Sequence, residues 1–192
     1  SGPHYDEKEY VAAVESLLSK WFIMGKTGRL FEDIFPKHLG KTQGVMVNSG
    51  SSANLLMYSV LKCTNTLPEK YILPVGSKFI TPIVCFPTTI NPIKGIVFAH
   101  VLGNPPDMDR LMQIIKKYNL VFLEDSCDAL GSTYRDKKLG SFGDISTCSF
   151  FPAHHMTTGE GGFVATNEPI VRRALASMRD WGRACYCNEG TI

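Results

Sequence analysis

The chain has 192 residues, 44% hydrophobic and 20% charged, with a net charge of +2 from 20 basic and 18 acidic side chains. That length allows one substantial domain with its own core, and the near-balanced charge gives no electrostatic argument for nucleic acid or an anionic membrane as partner. No apolar run approaches the ~20 residues that span a bilayer and no charged-then-apolar leader opens the sequence, so the expected compartment is the cytoplasm.

Ser1-Gly2-Pro3-His4 is set aside as an expression remnant, and one domain is expected over residues 5–192. Residues 7–24 have helical spacing, with Tyr10, Val11, Val14, Leu17, Leu18 and Trp21 forming an apolar stripe. Val45-Met46-Val47 is a short strand that stops at Asn48-Ser49-Gly50-Ser51-Ser52, and helix-forming Ala53-Asn54-Leu55-Leu56-Met57 follows. Lys78 to Cys85 reads as a strand running into Phe86-Pro87-Thr88-Thr89, and Gly95 to Ala99 as another. Met108 to Tyr118 reads as a helix with Leu111, Ile114 and Ile115 inward, and Leu120 to Leu123 as a buried strand ending at Glu124-Asp125. Ile145 to Phe151 is a strand, Gly161 to Thr166 a turn and strand, and Pro169 to Arg179 a helix. Alternating strands and helices predict an α/β domain with a mostly parallel sheet, whose ligands gather at the carboxyl ends of the strands.

Three stretches carry possible chemistry. The turn Ser49-Gly50-Ser51-Ser52-Ala53-Asn54 opens a helix, so it is either a plain N-cap or a phosphate site made of backbone N–H groups and hydroxyls. Glu124-Asp125 closes a strand, where an acid serves as a metal ligand, a ribose ligand or the partner of a cofactor ring nitrogen. Of the six cysteines, Cys63, Cys85 and Cys148 have no patterned partner and read as reduced thiols, whereas Cys185-Tyr186-Cys187 has the spacing of a two-thiolate metal site.

The third stretch is Ser149-Phe150-Phe151-Pro152-Ala153-His154-His155-Met156-Thr157-Thr158-Gly159-Glu160-Gly161-Gly162. It resembles the active-site segment of the DegT/DnrJ/EryC1/StrS family of sugar aminotransferases, and the likeness runs from about Tyr10 to the C-terminus. That resemblance implies the aspartate aminotransferase-like large domain of pyridoxal-phosphate fold type I. In the family the sixth residue of this segment is the lysine that forms the Schiff base; here it is His154. An imidazole forms no internal aldimine but moves a proton near neutral pH, and within the family this change marks 3-dehydratases that use pyridoxamine phosphate. A sugar aminotransferase that has lost its lysine, surviving as an inactive cofactor-domain fragment, is the bland alternative. A transaminase that uses another lysine is a further one.

The resemblance assigns the phosphate to Gly50, Ser51, Ser52 and Ser149, ring stacking to Phe86, the ring nitrogen to Asp125, and proton transfer to His154. Asp128 stands where the aminotransferases have a glutamine near the ring hydroxyl. Cys127, Cys185 and Cys187 match three of the four ligands of the [2Fe–2S] cluster in the CDP-sugar branch, and the fourth would fall beyond Ile192. The implied activity is C3 dehydration of a nucleoside-diphosphate 4-keto-6-deoxyhexose, with CDP as the nucleotide, in dideoxysugar and O-antigen synthesis. The implied partners are an NADH-dependent flavin iron–sulfur reductase and a second copy of the chain. The alternative branch is the cluster-free GDP-sugar type.

Two departures from the family are expected. The small C-terminal domain is missing. Pro92-Ile93-Lys94-Gly95-Ile96 joins two places that lie about 35 residues apart in relatives, too long for ordinary loop variation. Either the gene product is shortened there, or a segment has been left out of the sequence; the second is the favoured reading.

Overall fold

The computed structural model describes residues 6–19, 24–63, 67–81, 93–180 and 182. Helix α1 (Glu7–Leu18) is followed by α2 (Lys26–Ile34), β1 (Gln43–Val47), α3 (Gly50–Val60), β2 (Lys78–Ile80) and β3 (Ile93–Ala99). Then come α4 (Met108–Lys117), β4 (Val121–Asp125), a hairpin of β5 (Thr133–Tyr134) and β6 (Lys137–Lys138), β7 (Ile145–Ser149), β8 (Gly162–Thr166) and α5 (Pro169–Arg179).

Six strands form one sheet in the order β1-β8-β7-β4-β3-β2. The pairs β2–β3, β3–β4 and β4–β7 are parallel, and β8 runs antiparallel to both of its neighbours. The expected mostly parallel α/β sheet is therefore observed. Strand β4 is buried on both faces, which explains why Val121-Phe122-Leu123 reads as a continuous apolar run.

Side-chain alternation assigns the two faces. Val121, Leu123, Ile145 and Val164 pack with Ala53, Met57 and Val60 of α3 and Val171 and Leu175 of α5. The intervening residues face the other way: Phe122 and Ile96 meet Met108 and Ile115 of α4, while Cys148, Phe163 and Ala165 meet Phe35 and Leu39 after α2. The result is three layers, helix–sheet–helix. Phe35 lies edge-on to Phe150 and to Phe163 at 4.9 Å between ring centres, pairs worth roughly 0.5–1.5 kcal/mol each beyond area burial.

Several boundaries differ from expectation. Helix α1 forms through a capping box, Asp6 accepting from Lys8 N–H and Glu9 reaching back to Asp6 N–H. It ends at Leu18, and its stripe of Tyr10, Val11, Val14, Leu17 and Leu18 is exposed rather than packed on the sheet. Trp21 lies outside the described residues. Ile114 is on the solvent side of α4, because Met108 and Ile115 take the inward positions. Strand β7 stops at Ser149, after which Phe150 turns into the aromatic cluster. Helix α2 and the β5–β6 hairpin went unexpected; the hairpin turns through Arg135 and Asp136, both at positive φ, the turn type that matches strand twist. Of the expected strand to Cys85, Lys78–Ile80 is strand and residues 82–92 lie outside the described residues, whereas residues 93–96 of the presumed junction form the start of β3.

Candidate active site

The carboxyl ends of β4 and β7 lie side by side, with Asp125 opposite Thr147 in parallel register. Both residues share the sheet face of Leu123 and Ile145, the face that α3 covers. Side chains from β4, β7 and the first turns of α3 therefore converge at one point.

Ser49 caps α3: its Oγ accepts from Ser52 N–H at 3.1 Å. That bond uses the Ser52 amide and leaves the amides of Gly50 and Ser51 as first-turn donors at the positive end of the helix. The plain N-cap is thus observed, and the amides of Gly50 and Ser51 and the Ser52 hydroxyl are the donors that an anion would meet at this turn. Gly50 is buried, and a Cβ there would lie 2.6 Å from Ser149 Cβ and 3.4 Å from Cys127 Sγ. Only glycine permits this approach of α3 to β7. Ser149 Oγ accepts from Phe151 N–H at 3.3 Å, so its proton remains for another acceptor. Gly162 is also required by close approach, since a Cβ would meet the Ser49 carbonyl at 2.1 Å.

Asp125 is held from two sides. Its Oδ1 accepts from Cys127 N–H at 3.0 Å, and its Oδ2 accepts from Asn54 Nδ2 at 2.8 Å. Thr147 Oγ1 donates in turn to Asn54 Oδ1 at 2.6 Å. Asn54 and Thr147 were not among the candidate residues. The legible signal was a polar residue at the fifth position of a helix whose neighbours Ala53, Leu56 and Met57 are buried, and alternating Thr147 and Ser149 on a strand.

His154, in the loop after β7, approaches Asp128, in the loop after β4, with Nδ1 to Oδ1 at 2.9 Å. His154 N–H donates to the Phe151 carbonyl at 3.0 Å, which closes a tight turn around the imidazole. Among the described candidates, Gly50, Ser52, Asp125, Cys127, Asp128, Ser149 and His154 lie at adjoining strand and helix ends; Ser51 is on the exposed side of α3.

Glu124 faces the opposite side of the sheet and serves the frame. Fully buried, it lies 3.0 Å from His100 Nε2 and accepts from Gly140 N–H at 3.0 Å and from Gly143 N–H. Lys41 is buried beside it, donates to the Gly143 and Ser141 carbonyls, and is lowered to about 8 by burial, which the Glu124 and Asp144 charges partly oppose. Strand alternation sets Glu124, its neighbour, on the face away from Asp125, which weighs against Lys41 as a replacement Schiff-base lysine.

The donor set fits a phosphorylated pyridine cofactor. The α3 amides and the Ser52 and Ser149 hydroxyls could hold a phosphate, the space over Gly50 is one that a Cβ would fill, and Asp125 could hold a protonated ring nitrogen. Burial first, and then Asp125, push the Cys127 thiol up in the metal-free chain. No cluster of three or more potential metal ligands occurs among the described residues. Phe86, Cys185 and Cys187 lie outside the described residues. No described helix is long and apolar enough to cross a membrane.

Known proteins share this sequence pattern and fold. The profile of the DegT/DnrJ/EryC1/StrS aminotransferase family matches residues 3–94 and 87–190, in two stretches that meet near the presumed junction. The chain is 40% identical to the dTDP-4-dehydro-2,6-dideoxy-D-glucose 3-dehydratase of Saccharopolyspora spinosa over 222 aligned residues, covering 99% of the chain and 48% of the relative. It is 39% identical to the lipopolysaccharide biosynthesis protein RfbH of Salmonella typhimurium, covering 99% of the chain and 50% of that protein. Among solved structures it resembles the E. coli GDP-4-keto-6-deoxy-D-mannose-3-dehydratase with bound hydrated PLP, with a TM-score of 0.81 and 29% identity over 92% of this chain and 52% of that one. The chain spans about half the length of the curated relatives it matches. On the family match over most of its length, the chain belongs to the DegT/DnrJ/EryC1/StrS aminotransferase family.

Proposed function

We propose that this chain forms the cofactor-binding part of a pyridoxamine-phosphate-dependent 3-dehydratase acting on a nucleoside-diphosphate 4-keto-6-deoxyhexose. The observation that carries the reading is His154, tied to Asp128 at 2.9 Å, in the position where aminotransferases of the family have their lysine. Two relatives with matching halves are named as 3-dehydratases, one of a dTDP sugar and one of a GDP sugar.

When bound, the cofactor supplies an amine for the C4 ketone and a ring that accepts an electron pair as the C3 hydroxyl leaves. The chain's residues do the rest. Gly50, Ser51, Ser52 and Ser149 hold the phosphate, and Phe86 stacks on the ring. Asp125 keeps the ring nitrogen protonated. Asp128 accepts from His154 Nδ1–H, which fixes the tautomer and leaves Nε2 as the base that moves the C4′ proton.

The cysteine spacing favours CDP as the nucleotide and a [2Fe–2S] cluster on Cys127, Cys185, Cys187 and a fourth ligand, fed by an NADH-dependent flavin iron–sulfur reductase; the assembly expected is a homodimer. The cluster-free GDP-sugar type is the second reading, favoured by the likeness to a GDP-4-keto-6-deoxy-D-mannose 3-dehydratase. Iron and sulfide analysis separates the two, since only the first binds both.

The test of the central reading is release of tritium from C4′-labelled pyridoxamine phosphate on addition of CDP-, dTDP- or GDP-4-keto-6-deoxyhexose. Substrate-dependent release that is lost in His154→Ala supports it. A chain that binds the cofactor and releases no label with any of the three is an inactive cofactor-domain fragment.

A further inference from the structure

Resting on the cofactor site proposed above, we infer that Asn54 and Thr147 are positioning residues, which aim Asp125 at the cofactor's ring nitrogen and keep it a hydrogen-bond acceptor. The inference follows from the direction of the bonds. Thr147 Oγ1 is 2.6 Å from Asn54 Oδ1, and Asn54 Nδ2 is 2.8 Å from Asp125 Oδ2. An amide oxygen turned toward a carboxylate would have no proton between the two, so the amide nitrogen must face Asp125. The Asn54 oxygen then faces Thr147, and an amide oxygen only accepts, so the Thr147 hydroxyl donates. The relay runs one way, from Thr147 through Asn54 to Asp125.

Cys127 N–H donates to the other oxygen, Oδ1, at 3.0 Å. Both Asp125 oxygens therefore accept from fixed donors, which stabilises the ionised carboxylate, the form that pairs with a protonated ring nitrogen. The three residues come from three elements. Asp125 and Thr147 are opposed in parallel register on β4 and β7, and Asn54 reaches them from the second turn of α3, whose first turn carries the phosphate donors. One helix thus sets both ends of the cofactor: its amides fix the phosphate, and Asn54 fixes the group that meets the ring nitrogen.

Thr147 is fully buried, so Asn54→Leu alone takes away its amide acceptor and leaves the Cys127 thiol as its neighbour. The double variant Asn54→Leu/Thr147→Val removes both polar groups with little change of shape and keeps the packing. The experiment loads wild type, both variants and Asp125→Asn with pyridoxamine 5′-phosphate labelled with 15N in the ring, and reads the ring 15N shift at fixed pH beside the dissociation constant. The expected result is a protonated-ring shift in wild type, a displacement toward the neutral-ring value in the double variant, and weaker binding by about tenfold, the equivalent of one lost charge-assisted bond. A purely structural role would leave the shift of the bound cofactor unmoved. An unchanged shift and affinity in the double variant, with Asp125→Asn displaced, overturns the role of Asn54 and Thr147 while the cofactor site stands. Failure of wild type to bind the cofactor overturns both.

Discussion

His154 Nδ1 lies 2.9 Å from Asp128 Oδ1, which joins the loop after β7 to the loop after β4 through a side-chain pair. Strands β4 and β7 are adjacent and parallel, so the two loops leave the same edge of the sheet. An imidazole so held presents one defined nitrogen for proton transfer. His154→Ala is expected to reduce C4′ proton release by about 10²–10⁴-fold, the usual contribution of a general acid–base group. Asp128→Ala should cost less than that and more than Asp128→Asn, because asparagine retains an acceptor for Nδ1–H. Single-turnover tritium release ranks the three; an Asp128→Ala chain as fast as wild type removes the orienting role.

Gly50→Ala tests the approach of α3 to β7. The added Cβ would stand 2.6 Å from Ser149 Cβ, so one element must move. Overpacking of this kind costs about 1–3 kcal/mol. Denaturant unfolding should show that loss, and on the proposed cofactor site fluorescence titration should show weaker cofactor binding, since α3 or β7 is displaced where the phosphate would be held.

Glu124→Gln tests the frame behind the site. The carboxylate accepts from Gly140 N–H and Gly143 N–H and meets His100 within the core. Glutamine has one acceptor oxygen for two backbone donors, leaving one buried N–H facing an NH₂ group. The expected loss is about 1–3 kcal/mol in chemical denaturation, the cost of an unsatisfied buried group. An unchanged midpoint would mean that water or a rearranged loop replaces the bond.

Lys41 predicts a pH effect on stability. Its ordinary value of 10.5 is lowered to about 8, chiefly by burial. Between these values the unfolded chain holds a proton that the folded chain does not, so this group makes stability rise with pH from about 8 toward 10.5. Below 8 both states are charged and the burial cost is fully present. Relative to Lys41→Met, wild type should therefore gain about 1 kcal/mol between pH 7 and 9. The comparison with the variant matters because Cys148, raised by burial to about 12, acts in the opposite direction above pH 9. Parallel pH profiles for the two proteins would show that Lys41 is not desolvated.

Local chemistry made much of this legible in sequence. Short strand-like runs bounded by turn residues identified β4, β7 and β8, and Pro169 with the helix-forming residues behind it marked α5. The motif around His154, the turn at Gly50 and the acid at Asp125 depend on residue type and spacing, which a sequence displays directly. Which residues support them depends on strand register and on which face of a helix meets the sheet. Asn54 looked like an ordinary helical residue and Thr147 like a strand filler; they become one relay only because β4 and β7 pair in parallel and α3 crosses over their ends. The same holds for Glu124 and Asp125, neighbours in sequence that the period of two sends to opposite faces, one into the frame and one into the site. Sequence alone determined the family, the α/β class and the chemistry-bearing residue types. Tertiary structure alone decided the direction of each hydrogen bond, because the partner is brought in from elements distant along the chain.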